Sequence, residues 1–141
     1  MSDLAAIQQV LNTYSVAASL GDIEGMAATF QPDGVWEIPA IGARFEGREA
    51  IVAGAQAIIG AIEYIVQLNT PAVIEVDGDT ATAQCVIREC GKYAGRDTSL
   101  EVLGLYADKL VRTPDGWKFA LRTFTVRGMH DFENAPPSLH G

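Results

Sequence analysis

Three side chains in this 141-residue sequence could transfer protons: Tyr14, Glu89 and His130. Tyr14 lies on the apolar face of a helical pattern, so its hydroxyl is carried inward and needs a polar partner. Glu89 follows Cys85 and Ile87 at strand spacing. If that face turns inward, burial disfavours the charged carboxylate, raises its pKa and makes it a base. His130 opens the C-terminal segment and would bring into a site from there the side chain that titrates nearest neutrality. Each residue has a structural reading beside the chemical one: a core tyrosine, a carboxylate wetted at a strand end, a solvated histidine. Tyr106 and Asp108 share a strand face, and Asp108 is read as pairing across the strands with Arg122. Asp22, after Gly21, is read as a helix cap rather than a catalytic acid.

The elements that must position these groups follow from periodicity. Leu4, Ile7, Leu11, Tyr14 and Ala18 recur at three and four, which predicts a helix over 3–19. Gly21 ends it, and Ile23, Met26, Ala27 and Phe30 predict a short second helix. Pro32-Asp33-Gly34 reads as a turn and 35–38 as a strand stopped by Pro39. A second short strand over 43–46 completes a hairpin, and a third helix starts near Gly47. Strands follow over 64–69, 72–76, 80–90, 99–112 and 117–127, with Asp77-Gly78 a hairpin turn and Gly104 a bulge or bend. Helices first and a strand meander after predict an α+β fold with helices on one face of a curved sheet. Residues 1–128 are expected to form one domain, followed by a C-terminal arm over 129–141 that is rich in proline and polar residues.

Composition limits the partners. The chain carries 10 Lys+Arg against 18 Asp+Glu, a net charge of −8, which repels phosphate backbones and anionic membranes. No apolar run approaches the roughly 18 residues of a membrane span. The first residues lack a secretory pattern. Cys85 and Cys90, an odd number apart, point to opposite faces of one strand and are expected as free thiols. A cytoplasmic protein is expected. The chain contains no phosphate-binding or dinucleotide glycine motif and no nucleophile elbow. His130 and His140, ten apart with no cysteine neighbour, have no metal-ligand spacing. Neither cofactor nor metal is expected.

The segments YSVAASLGDIEGMAATFQPDGVWEIP, FEGREAI, PAVIEVDGDTATAQC and YADKLVRTPDGWKFALRTF, in this order, resemble the SnoaL-like group of the nuclear transport factor 2 superfamily. The resemblance implies a cone-shaped α+β barrel with three N-terminal helices over the concave face of a mixed sheet. It also implies an internal pocket, a C-terminal arm (129–141) able to fold over it as a lid, and a homodimer or homotrimer joined through the open sheet face. Such folds host dehydratases, isomerases, hydrolases and non-catalytic members, so the fold does not select a reaction.

Carried over residue by residue, the aspartate of the scytalone dehydratase type falls at Ser19 and its histidine at Gln67, and neither titrates usefully near neutrality. The ketosteroid isomerase tyrosine matches Tyr14, whereas its base falls at Ile38 and its second acid near Leu105. The water-holding set of the limonene-type epoxide hydrolases has no matching spacing. The pocket is expected to be lined by Ser19, Trp36, Ile38, Ile62, Tyr64, Gln67, Leu103, Tyr106 and Phe124, with Trp36 serving either the pocket mouth or the core. The expected ligand is a small apolar molecule. The expected activity is a lyase or isomerase using Tyr14, Glu89 and His130. The alternatives are a small-molecule-binding protein without turnover, or a scaffold like the small subunit of a ring-hydroxylating dioxygenase.

Overall fold

A computed structural model describes residues 1–139. Helix α1 (Asp3–Leu20) is capped by Ser2, whose Oγ accepts from the Ala5 N–H at 3.2 Å. It closes on Gly21 at φ 72°, a left-handed position that glycine occupies without strain. Asp22 then accepts from the Gly25 N–H at 2.9 Å and starts α2 (Ile23–Ala28), the capping role expected of it. Ile7, Leu11, Tyr14 and Ala18 are buried as the periodicity predicts, while Leu4 in the first turn stays exposed.

Phe30 departs from expectation: α2 stops at Ala28, and Phe30 begins strand β1 (Phe30–Ile38). Its ring is fully buried in either reading, because it packs 5.2 Å from Phe119. Residues Phe30 to Val35 of β1 span only Phe119 to Leu121 of its partner, so Pro32-Asp33-Gly34 swells out as a bulge inside the strand. Strand β2 (Ala43–Glu46) pairs back on β1, and α3 (Arg48–Ile59) returns over them.

Five strands complete the sheet: β3 (Ile62–Asn69), β4 (Val73–Asp77), β5 (Thr80–Tyr93), β6 (Thr98–Thr113) and β7 (Gly116–Glu133). The order is β2-β1-β7-β6-β5-β3, with β4 on the other half of β5; among the described residues β1 and β7 are the one parallel pair. The curved sheet is open, with the helices against its inner face, an α+β architecture as expected. Core side chains at or below 1% exposure come from both layers, including Ile7, Leu11, Ile51, Ile87, Leu110 and Phe119. Among the described residues no helix is long and apolar enough to cross a membrane.

The last strands outrun their predicted ends. The loop expected at 91–97 shrinks, because β5 continues to Tyr93. Strand β7 continues to Glu133, with Met129 opposite Val102 and His130 opposite Glu101. The expected arm therefore begins as sheet. Beyond it the Asn134 N–H donates to Asp97 O at 3.0 Å, and Tyr64 Oη donates to Pro136 O at 3.0 Å. His140 lies outside the described residues.

Gly104 sits where the β6–β7 register shifts, as the sequence suggests. A Cβ there would press into the Thr125 carbonyl oxygen and approach Phe124 Cε1 to 2.7 Å. Gly104→Ala is expected to destabilise by about 1–3 kcal/mol through overpacking. Urea titration should show a lower midpoint with an unchanged slope; an unchanged midpoint would show that the two strands separate freely here.

Candidate functional site

The inner face of the sheet and the helices enclose a cavity of about 60 Å³. Helix α1 supplies Tyr14 and Ala18, α2 supplies Met26, and the end of α3 supplies Ile58 and Ile59. The strands supply Trp36, Ile38, Ile62, Ile65, Gln67, Glu89, Tyr106 and Phe124. Strand alternation explains the selection on β5: Cys85, Ile87 and Glu89 point inward while Val86 and Arg88 point out.

The polar groups form one connected set. Gln67 Nε2 donates to Glu89 Oε2 at 2.8 Å and to Tyr106 Oη at 3.1 Å. The Gln67 main-chain N–H donates to Ser19 Oγ at 3.0 Å, which fastens the end of α1 to β3. Burial raises the Glu89 carboxyl above its ordinary value, with the Gln67 hydrogen bond pulling the other way. The Tyr14 phenol is pushed up to about 12 by burial and Tyr106 well above its usual range for the same reason, so both remain neutral hydrogen-bond donors. Their rings meet edge to face at 5.7 Å.

Beneath these rings lies a fully buried ion pair. Arg122 Nε stands 3.0 Å from Asp108 Oδ1, and both side chains have no exposed surface. The guanidinium carbon lies 3.5 Å from the Tyr106 ring centre, 4.2 Å from Tyr14 and 4.5 Å from Phe119. Among the described residues neither Arg122 nor Asp108 finds a well-aligned hydrogen-bond partner, so charge and aromatic faces hold the pair. Burial pushes Asp108 up to about 6 against the pull of Arg122.

Most of the expected lining is here: Trp36, Ile38, Ile62, Gln67, Tyr106 and Phe124, together with Tyr14 and Glu89. Four expected residues are elsewhere. Ser19 is at the edge, its hydroxyl accepting from Gln67. Tyr64 is turned away, because a register shift between Ile62 and Tyr64 gives the inner face to Ile65. Leu103, three residues from Tyr106 and so on the opposite face, is 41% exposed. His130 is exposed on the sheet, 2.7 Å from Glu101 Oε1 and edge to face with Phe132 at 4.3 Å. It takes no part in the cavity wall, because β7 continues in the sheet instead of folding over the helices.

Met26, Ile58, Ile59 and Ile65 were not expected in the cavity lining, nor was the stacking of Arg122 on the rings. The available signal was Arg122 two residues before Phe124, on the same inward face. Among the described residues no group of three acidic, cysteine or histidine side chains could hold a metal.

Comparison with known proteins agrees with the architecture. Residues 1–123 match the SnoaL-like domain family. An uncharacterised protein of Mycobacterium tuberculosis is 31% identical over 127 residues, covering 89% of this chain and 86% of that protein. A Novosphingobium aromaticivorans structure named for scytalone dehydratase superposes with a TM-score of 0.82 at 21% identity, covering 97% of this chain and 94% of the other. The type 3 hexachlorocyclohexane dehydrochlorinase of Novosphingobium barchaimii gives 0.83 at 17% identity, covering 94% of each chain. These two share the fold. With the helices, the open curved sheet and a family match over most of its length, this chain belongs to the SnoaL-like domain family.

Proposed function

We propose that this protein is a lyase or isomerase that moves a proton on a small, largely apolar molecule in this cavity. One observation carries the reading: Glu89 presents a partly buried carboxylate, oriented by Gln67, to a wall that also holds two neutral phenols. Ionised Glu89 takes a proton from the carbon beside a substrate carbonyl. The C–H electrons move into the carbonyl, and a hydrogen bond from Tyr14 or Tyr106 stabilises the oxyanion. Where a hydroxyl lies β to the carbonyl, collapse of the enolate expels it, and protonated Glu89 supplies the proton that makes it water. Where none does, the proton returns at another carbon and a double bond shifts. The test is a panel of β-hydroxy ketones and β,γ-unsaturated ketones followed by the near-ultraviolet band of a conjugated enone. Appearance of the band supports the proposal, and a panel that binds without turnover overturns it.

That second outcome would leave a binding protein. This reading is favoured by the amide partner of Glu89, since Gln67 cannot relay a proton onward as a histidine would.

We also propose a homo-oligomer joined through the outer sheet face. Leu68 and Leu103 flank Arg88 across the strands there, with Val86 two residues along β5 on the same face; the three apolar side chains are 55%, 41% and 53% exposed. Leu103→Asp is expected to convert the assembly to monomer in sedimentation velocity, and a wild-type monomer would refute the interface. The acidic net charge and the free Cys85 and Cys90 support action in the cytoplasm, away from nucleic acid and membranes.

A further inference from the structure

Two buried polar atoms in cavity-lining side chains have no partner among the described residues: the Trp36 indole Nε1 and the Gln67 amide Oε1. The first can only donate and the second only accept. Most buried polar atoms are paired, and one left unpaired weakens a fold measurably. Each therefore calls for a partner that the described residues do not supply.

Neighbouring groups do not satisfy them. Gln67 directs its Nε2 to Glu89 at 2.8 Å and to Tyr106 at 3.1 Å, and its main-chain N–H to Ser19. Turning the amide over would set its oxygen against the Glu89 carboxylate. Trp36 is 4% exposed and its ring lies 5.4 Å from that of Phe45. The other indole in the chain shows the contrast: Trp117 Nε1 donates to Asp3 Oδ1 at 3.2 Å.

We propose that the cavity takes an uncharged compound carrying one carbonyl, which accepts from Trp36 Nε1, and one hydroxyl, which donates to Gln67 Oε1. This rests on reading the cavity as a ligand site. The charge of the ligand follows from the wall. An anion would face Glu89, and the surrounding isoleucines and aromatic rings would leave any ion poorly solvated. Its size follows from the volume. The cavity of about 60 Å³ is smaller than the roughly 150 Å³ space that admits benzene. A six-membered ring enters only as Ile58 and Ile59, half-buried at the end of α3, move aside.

The experiment is a ¹⁵N–¹H titration with the 2-, 3- and 4-hydroxycyclohexanones, cyclohexanone, cyclohexanol and cyclohexane. At least one hydroxy ketone should bind about tenfold more tightly than either single-group compound, the range of one added hydrogen bond. The Trp36 indole resonance should move downfield with the ketones and not with cyclohexanol or cyclohexane. Trp36→Phe should reduce the hydroxy ketone to the affinity of cyclohexanol, and Gln67→Met to that of cyclohexanone. If either variant fails to fold, the wild-type indole shift and affinity order still decide. Equal saturable binding by all six overturns this ligand class and leaves the cavity as an apolar ligand site. No saturable shift at any cavity residue overturns both.

Discussion

Asp108→Ala is expected to destabilise the protein by about 3–5 kcal/mol, because it strands a guanidinium with no exposed surface. Arginine cannot escape by losing its proton, so the loss should persist at every pH at which the protein folds. Arg122→Met should behave differently. It removes the charge that pulls the Asp108 pKa down, and the carboxyl, already pushed up to about 6 by burial, rises further. Asp108 can then become neutral. The sign follows from proton binding: a folded-state pKa above the unfolded value makes the folded state bind the proton more tightly. That contribution is full below the unfolded pKa and is lost as pH rises through the folded one. The stability deficit of Arg122→Met against wild type should therefore shrink as pH falls from 8 toward 5, whereas that of Asp108→Ala should not. A paired change to Asp108→Leu and Arg122→Met replaces both charges with apolar groups and should return most of the loss. Chemical denaturation of these four proteins and of the single Asp108→Leu variant across pH checks all of this; losses of Asp108→Leu and Arg122→Met that add in the double variant would show that the two charges do not support each other.

Glu89→Gln is expected to lower kcat/KM for a responsive ketone by about 10²–10⁴-fold, the usual weight of one positioned base. The change keeps the shape and lets Gln67 bond an amide instead of a carboxylate, so fold and ligand affinity should persist. In wild type the base works only when ionised, and burial raises its pKa above the ordinary 4.5. The acidic limb of the kcat/KM profile should therefore rise at higher pH than a solvated glutamate would give, then level off. Full activity in Glu89→Gln would remove Glu89 from the mechanism. Tyr14→Phe offers a second reading of the same step, since it removes a donor to the oxyanion while leaving the ring on Arg122.

The local rules reached far along this chain. Helical spacing identified Ile7, Leu11, Tyr14 and Ala18 as one face, and alternation placed Cys85, Ile87 and Glu89 together. Capping chemistry identified Asp22, and a mid-strand glycine marked the register shift at Gly104. The same rules failed where alternation is interrupted or continued beyond its signal. The shift near Ile62 exchanged Tyr64 for Ile65, and Pro32-Asp33-Gly34, a turn by composition, is absorbed as a bulge because β7 pairs on both sides of it. His130 was read as part of an arm because Gly128 and the prolines beyond suggest a chain end. Pairing with β6 keeps it in the sheet.

The sequence by itself determined the fold class and the order of helices and strands. Those are properties of residue type and spacing, which act over a few positions. Tertiary structure alone decided which polar groups meet. Gln67, Glu89 and Tyr106 come from three separate strands, and Tyr14 joins them from a helix. Arg122 sits against rings contributed by one helix and two strands. Their contact depends on sheet curvature and inter-strand register, which arise from the packing of the whole chain and leave no local trace. For the same reason the unpartnered Trp36 and Gln67 atoms, from which a ligand's chemistry was inferred, could be seen only once every other candidate partner had a position.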